Sequence, residues 1–279
     1  MMELRFLGVR GSVAVSGAHA ARIGGNTACV EVTSAGHRLV LDAGTGVRAL
    51  GERLIQESGP QKATLLFSHL HWDHVQGFPF FAPAYAPTTQ LTLYGPGPGG
   101  DVALERVLSS QMQAPSFPVP LSAMRARMRF CEALSGVPLE VGPFRITPFA
   151  LPHPQGCLGY RIEEGGRAFV YATDVELSRA GVTPALGRWM EGADVLCLDA
   201  QYTPDEYAGR SGPARRGWGH STMMDAAQIA AHVQAQRLLL FHHDPARTDE
   251  QAEEMAEAAR THFAAAEPAR EGKVLRLGA

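Results

Sequence analysis

Short runs of β-branched and aromatic residues recur through the first half of the chain, at residues 3–7, 28–33, 38–42, 64–67 and 90–94, each set off by turn-forming residues. Between them the apolar spacing lengthens. Val47, Leu50 and Leu54 share one face of a helix expected over 45–57, with Thr45 as its N-cap and Gly59-Pro60 as its stop. The second half repeats the style, with strands expected at 144–149, 158–162, 168–172, 195–198, 237–241 and 273–277, and helices at 179–191, 222–236 and 249–265. The strand runs follow one another too directly for a sheet that alternates strictly with helices. The pattern therefore predicts two sheets with helices on their outer sides.

Two stretches interrupt this order. Residues 95–122 are rich in Gly and Pro around one short helical piece at 102–111, and residues 205–219 hold Arg210, Arg215, Arg216 and Trp218 among glycines. Both read as loops, the first either a functional excursion or a mobile surface one. Arg215 and Arg216 are either candidate substrate contacts or solvated surface charge.

Composition narrows the class without naming a function. The chain has 279 residues, of which 45% are hydrophobic and 19% charged, the balance of a folded globular protein and too apolar for a disordered one. One domain spanning 1–279, with the 95–122 stretch as an insertion, is the expected organisation. A formal charge of -3 and a pI near 6.4 supply no global positive field for a nucleic-acid backbone, so extended nucleic acid is not expected. The cysteines Cys29, Cys131, Cys157 and Cys197 are far apart, form no C-x-x-C pair and read as buried free thiols. The first residues enter a strand pattern at once and no apolar run approaches membrane-spanning length, which points to a cytoplasmic protein.

The chemistry concentrates in one place. The buried-strand pattern at 64–68 runs into His69-Leu70-His71-Trp72-Asp73-His74, a density of metal-capable side chains with no use in packing. Alternation at a strand end sends His69 and His71 the same way, so both can reach one cation, while Asp73 and His74 on the following turn can reach a second. Imidazole and carboxylate suit zinc, and manganese or iron where carboxylates are more numerous. Further ligands are expected at other strand ends, and three candidates stand there: His153, Asp174 and His242.

In that order these residues resemble the metallo-β-lactamase superfamily over nearly the whole chain. The resemblance implies an α/β fold, a four-layer αββα sandwich of two mixed sheets with outer helices and the site at the sheet edges. It assigns His69, His71 and His153 to a first divalent metal ion, Asp73, His74 and His242 to a second, and Asp174 to a bridge between them. Of the adjacent pair His242 and His243, His242 takes the ligand position and His243 a supporting or substrate-facing one. Asp174 stands where zinc β-lactamases carry a cysteine, which argues against antibiotic hydrolysis.

The segment Gly217-Trp218-Gly219-His220-Ser221-Thr222 resembles the H-S-T motif of the ribonuclease Z-like, phosphodiesterase-type branch, and the opening 4–12 and 24–27 segments are similar to it too. That resemblance implies that His220 protonates the leaving oxygen, that Asp73 orients or deprotonates the nucleophile, and that Ser221 lies near the substrate. Two cations would lower the pKa of a shared water to near neutrality and clamp the phosphate oxygens. The expected activity is hydrolysis of a small phosphodiester, a cyclic nucleotide or related nucleotide ester, by a metal-bound hydroxide. Residues 95–122 contain Arg106 as their one basic residue and cannot form a basic arm for RNA, so an RNA-processing nuclease is a weaker reading. A thioester or lactone hydrolase of the glyoxalase II type would share the seven metal positions but not the H-S-T motif. A binding protein without activity is disfavoured by the intact seven. The expected partner is a small-molecule phosphodiester with no membrane, and a homodimer is compatible with the sequence.

Overall fold

The computed structural model describes residues 1–278. Fourteen strands form two seven-stranded sheets. The first holds β1 (Met2–Gly8), β2 (Cys29–Ser34), β3 (His37–Leu41), β4 (Lys62–Leu66), β5 (Gln90–Pro96), β6 (Arg127–Ala133) and β14 (Val274–Leu277), in the order β14-β1-β2-β3-β4-β5-β6. The second holds β7 (Leu139–Val141), β8 (Phe144–Leu151), β9 (Cys157–Glu164), β10 (Arg167–Ala172), β11 (Val195–Asp199), β12 (Leu238–Phe241) and β13 (Ala266–Pro268), in the order β13-β12-β11-β10-β9-β8-β7. Each sheet is half antiparallel and half parallel, with β3 to β6 parallel in one and β10 to β13 parallel in the other.

Strand alternation divides the apolar residues into three layers of core. Leu39, Leu41 and Leu66 of the first sheet meet Tyr160, Phe169, Tyr171, Leu239 and Phe241 of the second in the central layer. Their neighbours point the other way. Val40 and Leu65 pack beneath α1 (Val47–Leu54) and α3 (Gly100–Gln111), and Val170, Ala172, Leu238 and Leu240 beneath α6 (Met223–His232) and α7 (Asp249–Arg260). This is the αββα sandwich that the resemblance implies. A strand such as Leu238-Leu239-Leu240-Phe241 is wholly apolar because both of its faces are covered.

Several local expectations change. Helix α1 starts at Val47 after Gly46, and Thr45 does not cap it: the Thr45 hydroxyl accepts the Thr27 N–H instead, tying the helix entry to the start of β2. The helix expected over 179–191 is a short 3₁₀ turn at Arg179–Gly181 followed by α4 (Pro184–Met190), because Pro184 begins a helix and cannot continue one. Within residues 95–122 the helical piece expected at 102–111 is α3, which begins at Gly100; its Leu104 and Leu108 are fully buried on the first sheet, and Met112 and Leu121 from the rest of the stretch join the same core. Residues 205–219 likewise begin inside a helical turn, α5 (Pro204–Tyr207), closed by a Thr203–Glu206 capping box. Strands β6, β7 and β13 carry no strand signal strong enough to stand out in the sequence. Cys29, Cys157 and Cys197 are buried free thiols, and Cys131 is half-buried. No helix among the described residues is long and apolar enough to cross a membrane.

Two tyrosines of the second sheet reach across the central layer to strand ends of the first. The buried Tyr160 hydroxyl donates to the Phe67 carbonyl at 2.6 Å, and Tyr171 donates to the Asp42 carboxylate at 2.8 Å. Replacing Tyr160 with Phe keeps the shape and leaves one buried carbonyl without this donor. Denaturant unfolding of Tyr160→Phe is expected to show a loss of about 1–2 kcal/mol. An unchanged midpoint would mean that water or a backbone shift satisfies that carbonyl.

Candidate metal centre

The parallel strands of both sheets end on the same side, and their last residues turn into one cleft, where ligand sites gather in open α/β sheets. After β4 come Ser68, His69 and His71, then the single-turn helix α2 (Trp72–Val75), which carries Asp73 and His74. His153 follows β8, Asp174 follows β10, and His242 follows β12. Turning this sharply has a backbone cost. Of the seven non-glycine residues with positive φ, five border the cleft: Ser12, Asp42, Gln155, Asp174 and His242. Such strain gathers where the surrounding structure holds a side chain in a required place.

The structure brings all seven expected ligand residues together in two overlapping groups. One is His69, His71, His153 and Asp174, the other Asp73, His74, Asp174 and His242. Asp174 belongs to both through different oxygens. Its Oδ2 faces His69 Nε2 at 3.6 Å and His153 Nε2 at 3.8 Å, while its Oδ1 lies 3.2 Å from both His74 Nε2 and His242 Nε2. Asp73 Oδ2 completes the second group, 3.2 Å from His242 Nε2 and 3.4 Å from His74 Nε2, and accepts the Ser12 N–H at 2.6 Å.

Outer partners fix which imidazole nitrogen faces inward. His74 Nδ1 donates to Asp42 at 2.8 Å, His153 Nδ1 to the Gly219 carbonyl at 2.8 Å, and His71 Nε2 to the Gln155 amide oxygen at 2.9 Å. His69 Nδ1 lies 3.1 Å from Ser68 Oγ, which itself donates to Asp42. In these tautomers His71 Nδ1 and His153 Nε2 point lone pairs at each other across 3.2 Å. His69 Nε2 and His74 Nε2 are buried with no hydrogen-bond partner. Facing lone pairs and orphaned inward nitrogens need a cation between them, and histidines held from behind in this way are the usual arrangement of metal ligands. The residues therefore fit divalent metal.

Charge supports the same conclusion. Asp42, Asp73, Asp174 and Asp199 are all buried, and among the described residues their ion-pair partners are histidines, never Lys or Arg. Burial alone would raise the Asp73 and Asp174 carboxyls, but the surrounding histidines, His74 and His242 foremost, hold both below the usual carboxylate range. Burial would equally lower His74, yet Asp174, Asp73 and Asp42 together drive it well above the ordinary histidine value. His69 goes the other way, lowered by burial and by its neighbouring histidines. A cluster that collects protons where it lacks other cations is a strongly negative pocket.

His220 stands at the edge of this cluster. Its Nδ1 bonds Asp199 Oδ2 at 2.7 Å, and its ring stacks on His242 with centroids 4.9 Å apart. Burial works against its charge, but Asp199, with Asp174 and Asp73 behind it, lifts its pKa to about 9. Ser221 is not free to meet a substrate: its hydroxyl donates to the Val175 carbonyl at 2.5 Å and accepts the Leu177 N–H at 3.0 Å, which pins the H-S-T segment to the chain after Asp174. Of the two places expected for His243, the structure gives it the supporting one and not the substrate-facing one. It is buried, turned from the cleft with Nε2 on the Ala269 carbonyl at 3.0 Å, and burial lowers it to about 3. Arg215 lies over the Trp218 ring at 4.3 Å and near Tyr202, half-buried, while Arg216 borders a cavity beside His220. Asp42 and Asp199 have no place among the functional residues expected from sequence, although each ends an apolar strand as the ligands do.

Two stacked mixed sheets with paired histidine and carboxylate groups at their common edge define the metallo-β-lactamase fold and a centre able to hold divalent metal. The profile of the Beta-lactamase superfamily domain matches residues 37–243, and the chain belongs to that family. It is a hydrolase of the metallo-β-lactamase fold. It is similar to ribonuclease BN of Cronobacter sakazakii, 26% identical with 82% of this chain and 86% of that protein aligned. It is also similar to ribonuclease Z of Natronomonas pharaonis, 25% identical with 86% of each aligned. Among solved structures, the metallo-β-lactamase fold protein YhfI from Bacillus subtilis superposes with a TM-score of 0.72 at 20% identity, covering 99% of this chain and 100% of that one. A diphosphatase from the PhnP family gives 0.71 at 20% identity over 100% and 98%.

The opening segment lies against the site, and one glycine in it leaves room for a ligand ring. A Cβ on Gly11 would stand 2.3–2.8 Å from the His242 imidazole. Gly11→Ala is therefore expected to fold but to displace His242, lowering bound zinc by roughly tenfold in affinity, within the range seen when metal-ligand support is disturbed. Equilibrium dialysis with metal analysis checks this, and unchanged zinc content would show that the ring has slack.

Proposed function

We propose that the chain is a dinuclear metal-dependent phosphodiesterase that hydrolyses a small phosphodiester, a cyclic nucleotide or a related nucleotide ester. The observation that carries the proposal is the Asp199–His220 pair: a histidine oriented by a buried carboxylate, beside the donor cluster, with its other ring nitrogen left for a substrate. In the proposed assignment His69, His71 and His153 hold one ion, Asp73, His74 and His242 the other, and Asp174 both. The donor set favours zinc. When bound, the two ions activate water and neutralise the phosphate oxygens.

The chain's own residues supply the rest. Asp73, held by the Ser12 N–H, orients the attacking water, and His220 donates its proton to the departing oxygen. Similarity to ribonucleases and to a diphosphatase supports phosphate chemistry over thioester or lactone hydrolysis. A small substrate is favoured over RNA because the segment beside the cleft that could have formed a basic arm is instead the helix α3, with Arg106 its one basic residue.

A panel of bis-p-nitrophenyl phosphate, cyclic nucleotides, a precursor transfer RNA, a glutathione thioester and a homoserine lactone separates the readings. Turnover of the last two alone would overturn the proposal. Removing metal with a chelator should abolish activity, and adding zinc back should restore it. The proton-donor role has a sharper signature. His220→Ala should keep its metal and lose on the order of 10²- to 10⁴-fold in kcat on esters with an alkoxide leaving group. The loss should be small on p-nitrophenyl esters, whose leaving group departs without a proton. Equal losses on both would assign His220 to binding rather than proton transfer.

A further inference from the structure

Two cavities flank the metal cluster, and their walls differ in chemistry. One, of about 690 Å³, lies on the His153 and His220 side and is bordered by Glu176, Tyr207, Arg216 and Asp225. The other, of about 620 Å³, opens on His69 and His71 and is walled by Leu70, Pro98, Val107 and Leu158, with Ser135 and Gln155 at its polar edge. Among the described residues no Asp, Glu, Lys or Arg borders this second cavity. Each volume falls in the range of small-molecule sites.

Part of the apolar wall, Pro98 and Val107, comes from the Gly/Pro-rich stretch and its helix, and the rest, Leu70 and Leu158, from the exit of β4 and from β9. Helix α3 is clamped to the sheet by Leu104 and Leu108, which leaves half-buried Val107 toward the cavity. The Pro96-Gly97-Pro98 turn before it is tight: a Cβ on Gly95 would stand 1.9 Å from the Gly100 carbonyl oxygen, and the Gly99 N–H donates to Glu132 at 2.8 Å. The wall is thus held in place by the fold, and it is continuous with two of the metal-site histidines.

We infer that this cleft selects the substituent that stays on phosphorus, and that it takes an uncharged, largely apolar group such as an aromatic ring. The inference rests on the phosphodiesterase reading. His220 borders the polar cavity and not this one, which places the leaving oxygen on the polar side. Water forms the new bond to phosphorus, the bond from phosphorus to the leaving oxygen breaks, and that oxygen takes the proton of His220. The proton released by the water restores His220. From an acyclic diester the alcohol departs into the polar cavity, and the monoester of the apolar group remains on the His71 side; from a cyclic diester the freed hydroxyl stays on the same molecule. A charged group in that cleft would lose its hydration without finding a partner.

Three p-nitrophenyl phosphodiesters, carrying phenyl, methyl or 4-carboxyphenyl as the second substituent, test this on the zinc-loaded chain. The phenyl ester is expected to exceed the other two by about tenfold or more in kcat/KM, mostly through KM. Val107→Asp, which charges the wall, and Val107→Trp, which fills the cleft, should each erase the preference by lowering kcat/KM for the phenyl ester about tenfold relative to that for the methyl ester. Calorimetric titration gives a readout without turnover: phenylphosphonate should bind about tenfold more tightly than methylphosphonate, and both variants should abolish the difference. Equal kcat/KM for all three esters, or variants that scale all three alike, would overturn the cleft assignment alone. No turnover of any ester would overturn the phosphodiesterase reading and this inference with it.

Discussion

The Asp42 carboxylate accepts four hydrogen bonds, from the Ser68 N–H, the Ser68 hydroxyl, the His74 imidazole and the Tyr171 phenol. Those donors come from β4's exit, from α2 and from the opposite sheet, so one buried acid fixes the relative placement of both halves of the sandwich at the cleft. A carboxylate this deep is costly unless fully paired, which makes the arrangement nearly all-or-none: remove one donor and the others face a destabilised charge. Asp42 sits at φ 58, in the left-handed region, so the chain bends sharply to present it. Because His74 and, through Ser68, His69 are both held from this one point, the inward nitrogens of the two metal groups are positioned before any ion arrives. Preorganisation of this kind separates a metal site from a patch of histidines.

The same logic holds the far rim. Arg10 is completely buried yet its guanidinium reaches three backbone carbonyls, those of Gly24, Asp244 and Arg247. Its backbone pairs with Thr27 on one side and His243 on the other. The segment that carries Gly11 and Ser12 is thereby tied to the turn that carries His242. The opening motif and His242 are thus one structural unit, although more than two hundred residues separate them.

What was legible in the sequence follows from which forces act locally. Apolar strands ending in His or Asp announce the site at 69–74, 153, 174 and 242, because the strand pattern and the ligand chemistry are each visible within a few residues. Asp42 and Asp199 are as central, but a lone aspartate after an apolar run is also how ordinary strands end; what marks them is a partner 32 or 21 residues away, which only the fold supplies. The strand β6 hides for a similar reason. Its Arg127-Met128-Arg129-Phe130 alternation is that of an exposed edge, stabilised by pairing with β5 rather than by its own burial. Within residues 95–122 the helical piece is visible in the sequence but its packing is not, because Gly and Pro punctuate the flanking turns while Leu104 and Leu108, which bury the helix, are few. His243 was legible as the supporting member of the pair: one peptide unit beyond His242 the chain has turned, and its ring belongs to the core.

Two histidines in this cleft share one device and diverge in use. His74 and His220 each bind a buried aspartate through Nδ1, at 2.8 and 2.7 Å. The difference lies opposite the other nitrogen. For His74 it faces Asp174 and Asp73 at 3.2 and 3.4 Å, wholly out of solvent, where a lone pair and two anions can share only a cation. For His220, no carboxylate other than Asp199 lies within ion-pair distance among the described residues, and its ring borders the polar cavity. A carboxylate behind an imidazole raises its basicity in both places; whether that basicity serves a metal or a proton is decided by what the fold sets in front. On that argument the H-S-T histidine needs no change in its own chemistry to serve the proton-donor role proposed for it, only a strand end that withholds a second acid.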